Sequence, residues 1–399
     1  MNRLVFSELQ SVIKDRDVYI WGAGYYGDCV HKKCCEQGIA VKGFLDKNPQ
    51  LEGTQLNGLP ISNPSVLEQY IDKKPFVMLG APTSVNKMEP YLLKLGFIKD
   101  ADFYSTSNNI EYLIEISGAC NLVCPSCPRG NSPQNGIKGF MDIALFKDIV
   151  EKIQSEEKNL MSLPLYNWGE PFLHPNLADF VRHLKEKNIY TALSSNMSLE
   201  KSIDAALRAN PDWLRISLSG YYQATYATTH TGGNSNLVKS NLYRIRYLID
   251  KYKLTTKVEV NYHKYLNNLG EDWQKMKDLC QELDFILHDI VAYFVPVERK
   301  IDHYNHKPVK HLEELQNLFI NKAVLDVSST PERVKLPCVY QSKQVVIDCN
   351  GKIQLCCQTY DDINTFDIDY LRTPLQTIVD RKMQHKFCDV CKTYGQAIQ

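Results

Sequence analysis

Directly after a predicted strand, Tyr112–Ser117, the chain reads CNLVCPSC at residues 120–127. Cys120, Cys124 and Cys127 thus have the spacing CxxxCxxC, and thiolates so close together suit an iron–sulfur cluster. Three thiolates leave one iron of a four-iron cluster without a protein ligand, and an open coordination position is what a catalytic metal site needs. The alternatives are a zinc site or three core cysteines, but zinc takes four protein ligands, with well-separated CxxC pairs.

Strands and helices alternate on the C-terminal side of this loop. A helix is predicted at Asp142–Glu157, where apolar residues recur at helical spacing. Six βα units predict an α/β fold with a partial (β/α)6 barrel at residues 110–297, and in such folds the chemistry lies at the C-terminal ends of the strands. The predicted strands are Tyr112–Ser117, Leu163–Trp168, Tyr190–Ser195, Trp213–Ser219, Lys257–His263 and Ile290–Val295.

This cysteine spacing after the first barrel strand resembles the radical S-adenosylmethionine (SAM) superfamily. The resemblance implies a catalytic [4Fe–4S] cluster whose open iron is chelated by the amino and carboxylate groups of SAM. It also implies that reduction by one electron splits the sulfonium, so that a 5′-deoxyadenosyl radical abstracts hydrogen from a substrate. Protein side chains do not perform such chemistry, so a cofactor must carry it.

Polar motifs follow the next strands where the family would place cofactor contacts. Trp168-Gly169-Glu170-Pro171 resembles the family's GGEP motif with Trp168 in place of the first glycine, and the resemblance places Gly169 and Glu170 near the amino group of SAM. Asn196 and Ser217 match positions that contact the ribose or carboxylate. Strand-end turns and helix caps are the alternative interpretation of each, because Gly, Ser and Asn are favoured there.

Cysteines return in a small C-terminal domain predicted at residues 338–399. The pattern from Cys338 through Gly351 to Cys356 resembles the start of SPASM and twitch extensions, which carry auxiliary [4Fe–4S] clusters. Only Cys388 and Cys391 follow, which favours the shorter twitch type with one cluster on these four cysteines. A zinc site made of the same four cysteines is the alternative. The other cysteines are interpreted as packing residues, although Cys349 or Cys357 is able to replace Cys356 as a ligand: Cys29, Cys34, Cys35, Cys280, Cys349 and Cys357.

The N-terminal segment, residues 1–109, alternates strands and helices around a glycine-rich turn. Gly22, Gly24 and Gly27 form a GxGxxG turn between a strand and a helix, and Asp46 ends the next strand, which is the context of a dinucleotide fingerprint. The segment resembles the small Rossmann-like domains of surface-sugar enzymes, which implies a bound nucleotide-sugar. A docking domain that keeps the turn for packing is the alternative. Residues 298–337 are polar and weakly periodic, which predicts a connector.

Composition limits the classes of partner. The 399 residues contain 46 Lys plus Arg and 46 Asp plus Glu, so no global field steers the chain to nucleic acid. No apolar run is long enough to span a membrane, and no signal-peptide core is evident, so we expect a cytoplasmic protein without membrane partners. Thirteen cysteines in such a chain favour metal or cluster ligation over disulfides.

Together these features predict a radical SAM enzyme that draws electrons from a reductant such as flavodoxin or ferredoxin. The expected reaction is oxidation, epimerisation or dehydration of a small polar substrate. The Rossmann-like segment favours a nucleotide-linked sugar in surface-glycan or secondary-metabolite biosynthesis. A peptide-modifying maturase is the first alternative, and a non-catalytic iron–sulfur protein that senses redox state or binds a partner is the second. The residue that returns hydrogen is unassigned; a thiol such as Cys280 is a candidate, with buried packing as its alternative.

Overall fold

The computed structural model describes residues 5–70, 74–80, 85–106, 109–132, 136–321, 325, 334 and 338–396. The chain divides into two compact units. Among the described residues, the first comprises those up to Glu111 together with segment 154–161, and the second comprises residues 112–153 and 162–396. Within the described residues, no helix combines the length and apolar character needed to cross a bilayer.

The first unit is built on a six-stranded sheet in the order β3-β4-β2-β1-β5-β6. All neighbouring pairs are parallel except the β3–β4 hairpin. Every residue of β1 and of β5 is buried, as expected for central strands of a parallel sheet whose two faces are covered. The elements are β1 (Val18–Trp21), β2 (Gly43–Leu45), β3 (Gln55–Leu56), β4 (Leu59–Ser62), β5 (Phe76–Leu79), β6 (Phe103–Ser105), α1 (Leu9–Ile13), α2 (Tyr25–Glu36) and α3 (Val85–Lys94).

The second unit contains a five-stranded parallel sheet in the order β12-β11-β10-β9-β8. Consecutive strands are neighbours, so their C-terminal ends share one edge, where Ser217 of β10 is paired with Asn261 of β11. The elements are β8 (Ser162–Pro164), β9 (Tyr190–Ser195), β10 (Trp213–Leu218), β11 (Lys257–Lys264), β12 (Ile286–Val291), α4 (Pro128–Asn131), α5 (Ile143–Glu156), α6 (Leu177–Glu186), α7 (Ile203–Arg208), α8 (Gln223–Ala227), α9 (Ser235–Tyr252) and α10 (Glu271–Glu282).

The α/β class with parallel sheets is confirmed, and the barrel is open. The strand predicted to begin it, β7 (Glu111–Ile114), lies in a separate four-stranded sheet in the order β15-β14-β13-β7. This pairing continues beyond β7, because the Glu115 N–H donates to Ile347 O at 2.8 Å. The other elements of this region are β13 (Gln344–Ile347), β14 (Lys352–Gln354), β15 (Thr365–Asp369), α13 (Val339–Lys343), α14 (Leu375–Met383) and α15 (Lys386–Thr393).

Two regions differ from the sequence-based prediction. The apolar run predicts the last barrel strand at Ile290–Val295, but β12 is formed four residues earlier, at Ile286–Val291. Its polar residues are paired: His288 Nδ1 lies 3.0 Å from a Glu259 oxygen, and Asp289 lies 2.5 Å from Lys264 Nζ. Polarity along β12 therefore reflects cross-strand pairing rather than exposure alone.

The predicted connector contains two helices, α11 (Val297–Tyr304) and α12 (Leu312–Gln316). Buried Leu312 and Leu315 of α12 pack in one cluster with Phe294 and Phe319. Much of the connector after residue 321 lies outside the described residues, so its predicted character there stays a prediction, as do the predicted domain bounds.

Candidate active site

The three cysteines of the CxxxCxxC loop are free thiols that line one cavity at the C-terminal ends of the parallel strands. The loop closes tightly: a Cβ on Gly130 would lie 2.3 Å from Cys124 O, so only glycine fits at this position of α4. Burial raises the pKa of Cys127 to about 12 and also raises the pKa values of Cys120 and Cys124. Buried thiols of this kind become thiolates when a metal displaces their protons.

A buried carboxylate that the sequence did not single out joins this loop to the next one. Glu115 accepts hydrogen bonds from the N–H groups of Trp168 at 2.9 Å and Gly169 at 2.8 Å. Arg129, two residues after Cys127, lies 3.9 Å from Glu115 and donates to Trp168 O at 3.3 Å. Burial raises the pKa of Glu115 to about 7, against the opposing effects of Arg129 and the two N–H groups. The cysteine loop and the Trp168–Gly169 turn are thus held in one arrangement.

Gly169 is required by close packing. A Cβ at this position would lie 1.7 Å from Ser117 O. Trp168, by contrast, has room for its side chain, and its indole Nε1 donates to Thr359 O at 3.0 Å. Trp168 therefore replaces the first glycine of the family's GGEP motif at a position where the packing leaves room for a side chain.

Glu170 lines the cavity but its carboxylate already has protein partners. It accepts from the N–H of Phe172 at 3.1 Å and from the N–H of Asn196 at 2.9 Å. Burial raises its pKa to about 7. Glu170 is thus the N-cap residue of the short 3-10 turn Pro171–Leu173, as the helix-cap interpretation expects. Its bond to the Asn196 N–H joins the ends of two loops at the cavity.

Asn196 and Ser217 line the same cavity at the ends of strands β9 and β10. The Asn196 amide donates to Asn121 Oδ1 at 3.0 Å and lies 3.9 Å from Cys120 Sγ. The cysteine loop and the strand ends are therefore in direct contact. All seven predicted residues of this part of the chain line one cavity: Cys120, Cys124, Cys127, Gly169, Glu170, Asn196 and Ser217.

Sequence reasoning missed two histidines in the cavity wall. His230 is stacked on Tyr226 with ring centroids 4.8 Å apart, and its Nδ1 lies 2.6 Å from Ser219 Oγ. Burial lowers the pKa of His230 to about 3 and that of His263 to about 4, so both rings are neutral at neutral pH. His263 lies near the end of β11, where a strand-end rule could have found it; His230 follows α8, where no sequence signal marks it.

One amide in the cavity wall has no protein partner. The buried Nδ2 of Asn167 has no hydrogen-bond acceptor among the described residues. A buried donor without an acceptor costs about 1–3 kcal/mol. A polar ligand in this cavity would supply that acceptor.

The four predicted C-terminal cysteines also come together. Cys338, Cys356, Cys388 and Cys391 are free thiols that line one pocket with Tyr340 and Phe387. Cys349 is buried elsewhere, with its Sγ 3.8 Å from Lys138 O, and Cys357 does not line this pocket. In the described part of the chain, no three His, Cys, Asp or Glu side chains are close enough to hold a single metal ion. A four-iron cluster holds its thiolates farther apart than a single ion does, and the feature these four cysteines share is one pocket.

The glycine-rich turn of the first unit joins β1 to α2 and is closely packed. Gly22 has φ +115°, and a Cβ on Gly27 would lie 1.8 Å from Gly22 O, so both are needed for the turn itself. Gly24 immediately precedes α2, and a Cβ added to it would have nothing within 4 Å. Asp46 accepts from the N–H groups of Ala23 and Asn48, each at 2.9 Å, and so closes the turn. Gly24 therefore borders open space, whereas the Asp46 carboxylate is occupied by hydrogen bonds that hold the turn together.

Comparison with known proteins places this site in a family. Residues 114–256 match the model of the Radical SAM superfamily, and this part of the chain is a radical SAM domain. The match confirms, for this region, the superfamily predicted from the cysteine spacing.

Among individual proteins, the chain is 26% identical over 200 residues to the tungsten-containing aldehyde ferredoxin oxidoreductase cofactor-modifying protein of Pyrococcus furiosus. The match covers 46% of this chain and 55% of the relative, so the chain spans about half the length of that curated protein. The solved structure of anSMEcpe with bound AdoMet is 17% identical, with a TM-score of 0.46 over 72% of this chain and 87% of that one. SuiB of Streptococcus suis bound to its precursor peptide is 14% identical, with a TM-score of 0.43 over 74% and 70%.

Proposed function

We propose that the chain is a radical SAM enzyme whose catalytic [4Fe–4S] cluster is held by Cys120, Cys124 and Cys127. The observation that carries the proposal is the convergence of these thiols with Glu170 and Asn196 on one cavity inside the matched region. The donor set fits the group, because three thiolates leave one iron for SAM. When bound, cluster and cofactor together supply a carbon-centred radical that removes a hydrogen atom from the substrate.

The protein's own residues prepare this cavity. Glu115 and Arg129 fix the cysteine loop against the Trp168–Gly169 turn, and the Glu170–Asn196 bond fixes the loops that follow β8 and β9. Contacts of this kind, outside the ligand shell, orient the metal ligands and increase metal affinity. The unpartnered Asn167 amide and the polar Ser217 side chain are the contacts we assign to the polar parts of SAM.

The remaining wall residues suit a polar substrate. Neutral His263 and His230 each carry one ring nitrogen that donates and one that accepts. His263 is flanked by Tyr293, with ring centroids 6.3 Å apart. We assign this side of the cavity to the substrate, with His263 as a group able to hold or move a proton there. Oxidation, epimerisation and dehydration all fit such a wall.

The first unit supports the substrate class that we propose. Its glycine turn and the open space at Gly24 support a phosphate-bearing ligand, and a nucleotide-linked sugar is the substrate we propose. The name of the curated relative, a cofactor-modifying protein, is in keeping with a small-molecule substrate. A flavodoxin or ferredoxin as electron donor, an auxiliary cluster on the four C-terminal cysteines and a cytoplasmic location complete the proposal.

Cleavage of SAM tests the proposal directly. Anaerobically reconstituted protein with dithionite should convert SAM to 5′-deoxyadenosine and methionine, and Cys124→Ala should abolish this. Cys35→Ser is the matched control, because Cys35 is exposed on α2 and should leave cleavage unchanged. Full cleavage by a Cys124→Ala protein with normal iron content would refute the assignment. Product analysis with a nucleotide-sugar and with a peptide separates the sugar enzyme from a maturase, and absence of any cleavage would favour the non-catalytic alternative.

A further inference from the structure

A lysine is completely buried beside the C-terminal cysteines. Lys382 lies on α14 and is 0% exposed. Its Nζ donates to Tyr340 O at 2.8 Å and to Gln344 O. Tyr340 and Gln344 belong to the segment that directly follows Cys338, so the ammonium is fixed against the chain that carries the first cysteine of this pocket.

Burial of this ammonium needs a compensating negative charge. Transfer of an unpaired ammonium into an apolar interior is strongly unfavourable, and two backbone carbonyls supply dipoles rather than charge. Among the described residues, no carboxylate forms an ion pair with Lys382; the side chains that interact with it electrostatically are Cys356, Cys388, Cys357 and Cys338, in that order. Burial lowers the pKa of Lys382, and the thiols act in the opposite direction.

Thiolates on iron supply the missing charge. Four thiolates around a [4Fe–4S] cluster give a centre with net negative charge, which grows by one when the cluster is reduced. A fixed ammonium nearby stabilises the reduced form more than the oxidised form, because the attraction scales with the charge. Charge and hydrogen bonding near a cluster are among the factors that set its reduction potential.

We infer that Lys382 compensates the charge of the auxiliary centre and raises its reduction potential. This inference rests on the auxiliary cluster of the proposed function. Lys382 thereby has a role beyond packing: it makes this centre a better acceptor for an electron. Lys300 is a second, partly exposed cation on α11; it interacts electrostatically with Cys391 and donates to Gln396 Oε1 at 3.2 Å. Its larger exposure gives it the smaller effect.

The test uses full-length protein in which Cys120, Cys124 and Cys127 are replaced by Ala, so that only the auxiliary centre contributes a signal. Lys382→Gln keeps a donor for the carbonyls but removes the charge, and Lys382→Met removes both. Lys386→Met is the matched control, because Lys386 lies at the solvent-accessible start of the neighbouring helix α15. The readouts are iron and zinc content and the midpoint potential from a redox titration followed by electron paramagnetic resonance.

We expect Lys382→Gln to retain four irons and to shift the reduction equilibrium toward the oxidised form about tenfold, which is about 59 mV for a one-electron couple. Lys386→Met should leave the potential unchanged. An unchanged potential in Lys382→Gln with its irons retained would overturn the inference. Should Lys382→Gln and Lys382→Met both lose the irons, rescue by Lys382→Arg would support the need for charge, and failure of Lys382→Arg would overturn it. Zinc in the parent protein would instead refute the auxiliary cluster itself.

Discussion

The carboxylate of Glu115 and the backbone N–H of Gly169 lie 2.8 Å apart, and this bond joins the segment before the cysteine loop to the turn beside the cavity that the cysteines line. Gly169 admits no side chain, because a Cβ at this position would lie 1.7 Å from Ser117 O. Glu115 is therefore a positioning residue for both loops. Because its side chain is buried, its loss is not compensated by water.

Glu115→Gln is expected to weaken both the fold and the site. Both N–H groups donate to the same carboxylate oxygen, so an amide oxygen still accepts from them, but the substitution removes the negative charge opposite the largely buried Arg129. Loss of the partner of a buried charged group costs about 1–3 kcal/mol. Because outer contacts set metal affinity, we expect a loss of about 10–100-fold in iron retention or SAM cleavage. Thermal unfolding, iron content and cleavage rate measure this. Glu186→Gln, at an exposed position on α6, is the control, and wild-type values for Glu115→Gln would contradict the positioning role.

The raised pKa of Glu170 predicts that the stability of the metal-free protein depends on pH. Its folded pKa of about 7 lies above the unfolded value of about 4.5, so the folded state binds more protons between these pH values. Stability then falls as pH rises from about 4.5 to 7, by about 1–3 kcal/mol from this group. Denaturant unfolding of wild type and Glu170→Gln across this range should show a shallower decline in the variant. Equal slopes in the two proteins, with exposed Glu52→Gln as reference, would contradict the assignment.

Metal analysis should count two clusters. We expect about eight irons per reconstituted chain and about four after Cys120, Cys124 and Cys127 are replaced by Ala, since each four-iron cluster has its own cysteines. Replacement of Cys388 and Cys391 should remove the other four irons and leave SAM cleavage detectable. Zinc in place of these four irons would show that the C-terminal centre is structural.

Gly24→Val tests the nucleotide-sugar assignment without disturbing the fold. Gly24 has φ −110° and free space around a Cβ, so valine fits the protein and obstructs only a ligand. We expect calorimetry on the full chain to show weaker nucleotide-sugar binding, with uncoupled SAM cleavage unchanged. Gly27→Ala is the contrasting variant, because its Cβ would meet Gly22 O at 1.8 Å and should lower the Tm. Unchanged substrate turnover in Gly24→Val would favour the docking-domain interpretation.

The residues that were predictable are those whose role depends on local spacing. The CxxxCxxC loop and the polar residues at the ends of β9 and β10 follow strands that the sequence shows, so their convergence on one cavity was expected. The glycine turn of the first unit was predictable from the same kind of local pattern. The C-terminal cysteines were also found, although they are far apart in sequence, because cysteine is rare enough to be noticed. The boundaries of β12 were missed since its polar residues are paired across the sheet.

Glu115, His230 and Lys382 could not be found in this way. Each is an ordinary polar residue in the sequence, and its importance comes from burial by segments distant in the chain. Lys382 shows this most clearly: on an isolated helix it would be taken for a solvent-facing residue, yet its ammonium reaches carbonyls about forty positions earlier in the chain.

Pairing of β13 with β7 has a consequence for anyone who shortens or recombines this protein. Removal of the chain after the connector would strip the partner from the strand that leads into the cysteine loop and leave Glu115 N–H without Ile347 O. An exposed strand edge of this kind invites aggregation. The C-terminal segment is therefore not a detachable module; any chimaera that exchanges it must bring a strand equivalent to Gln344–Ile347, in the same register, to keep the catalytic half intact.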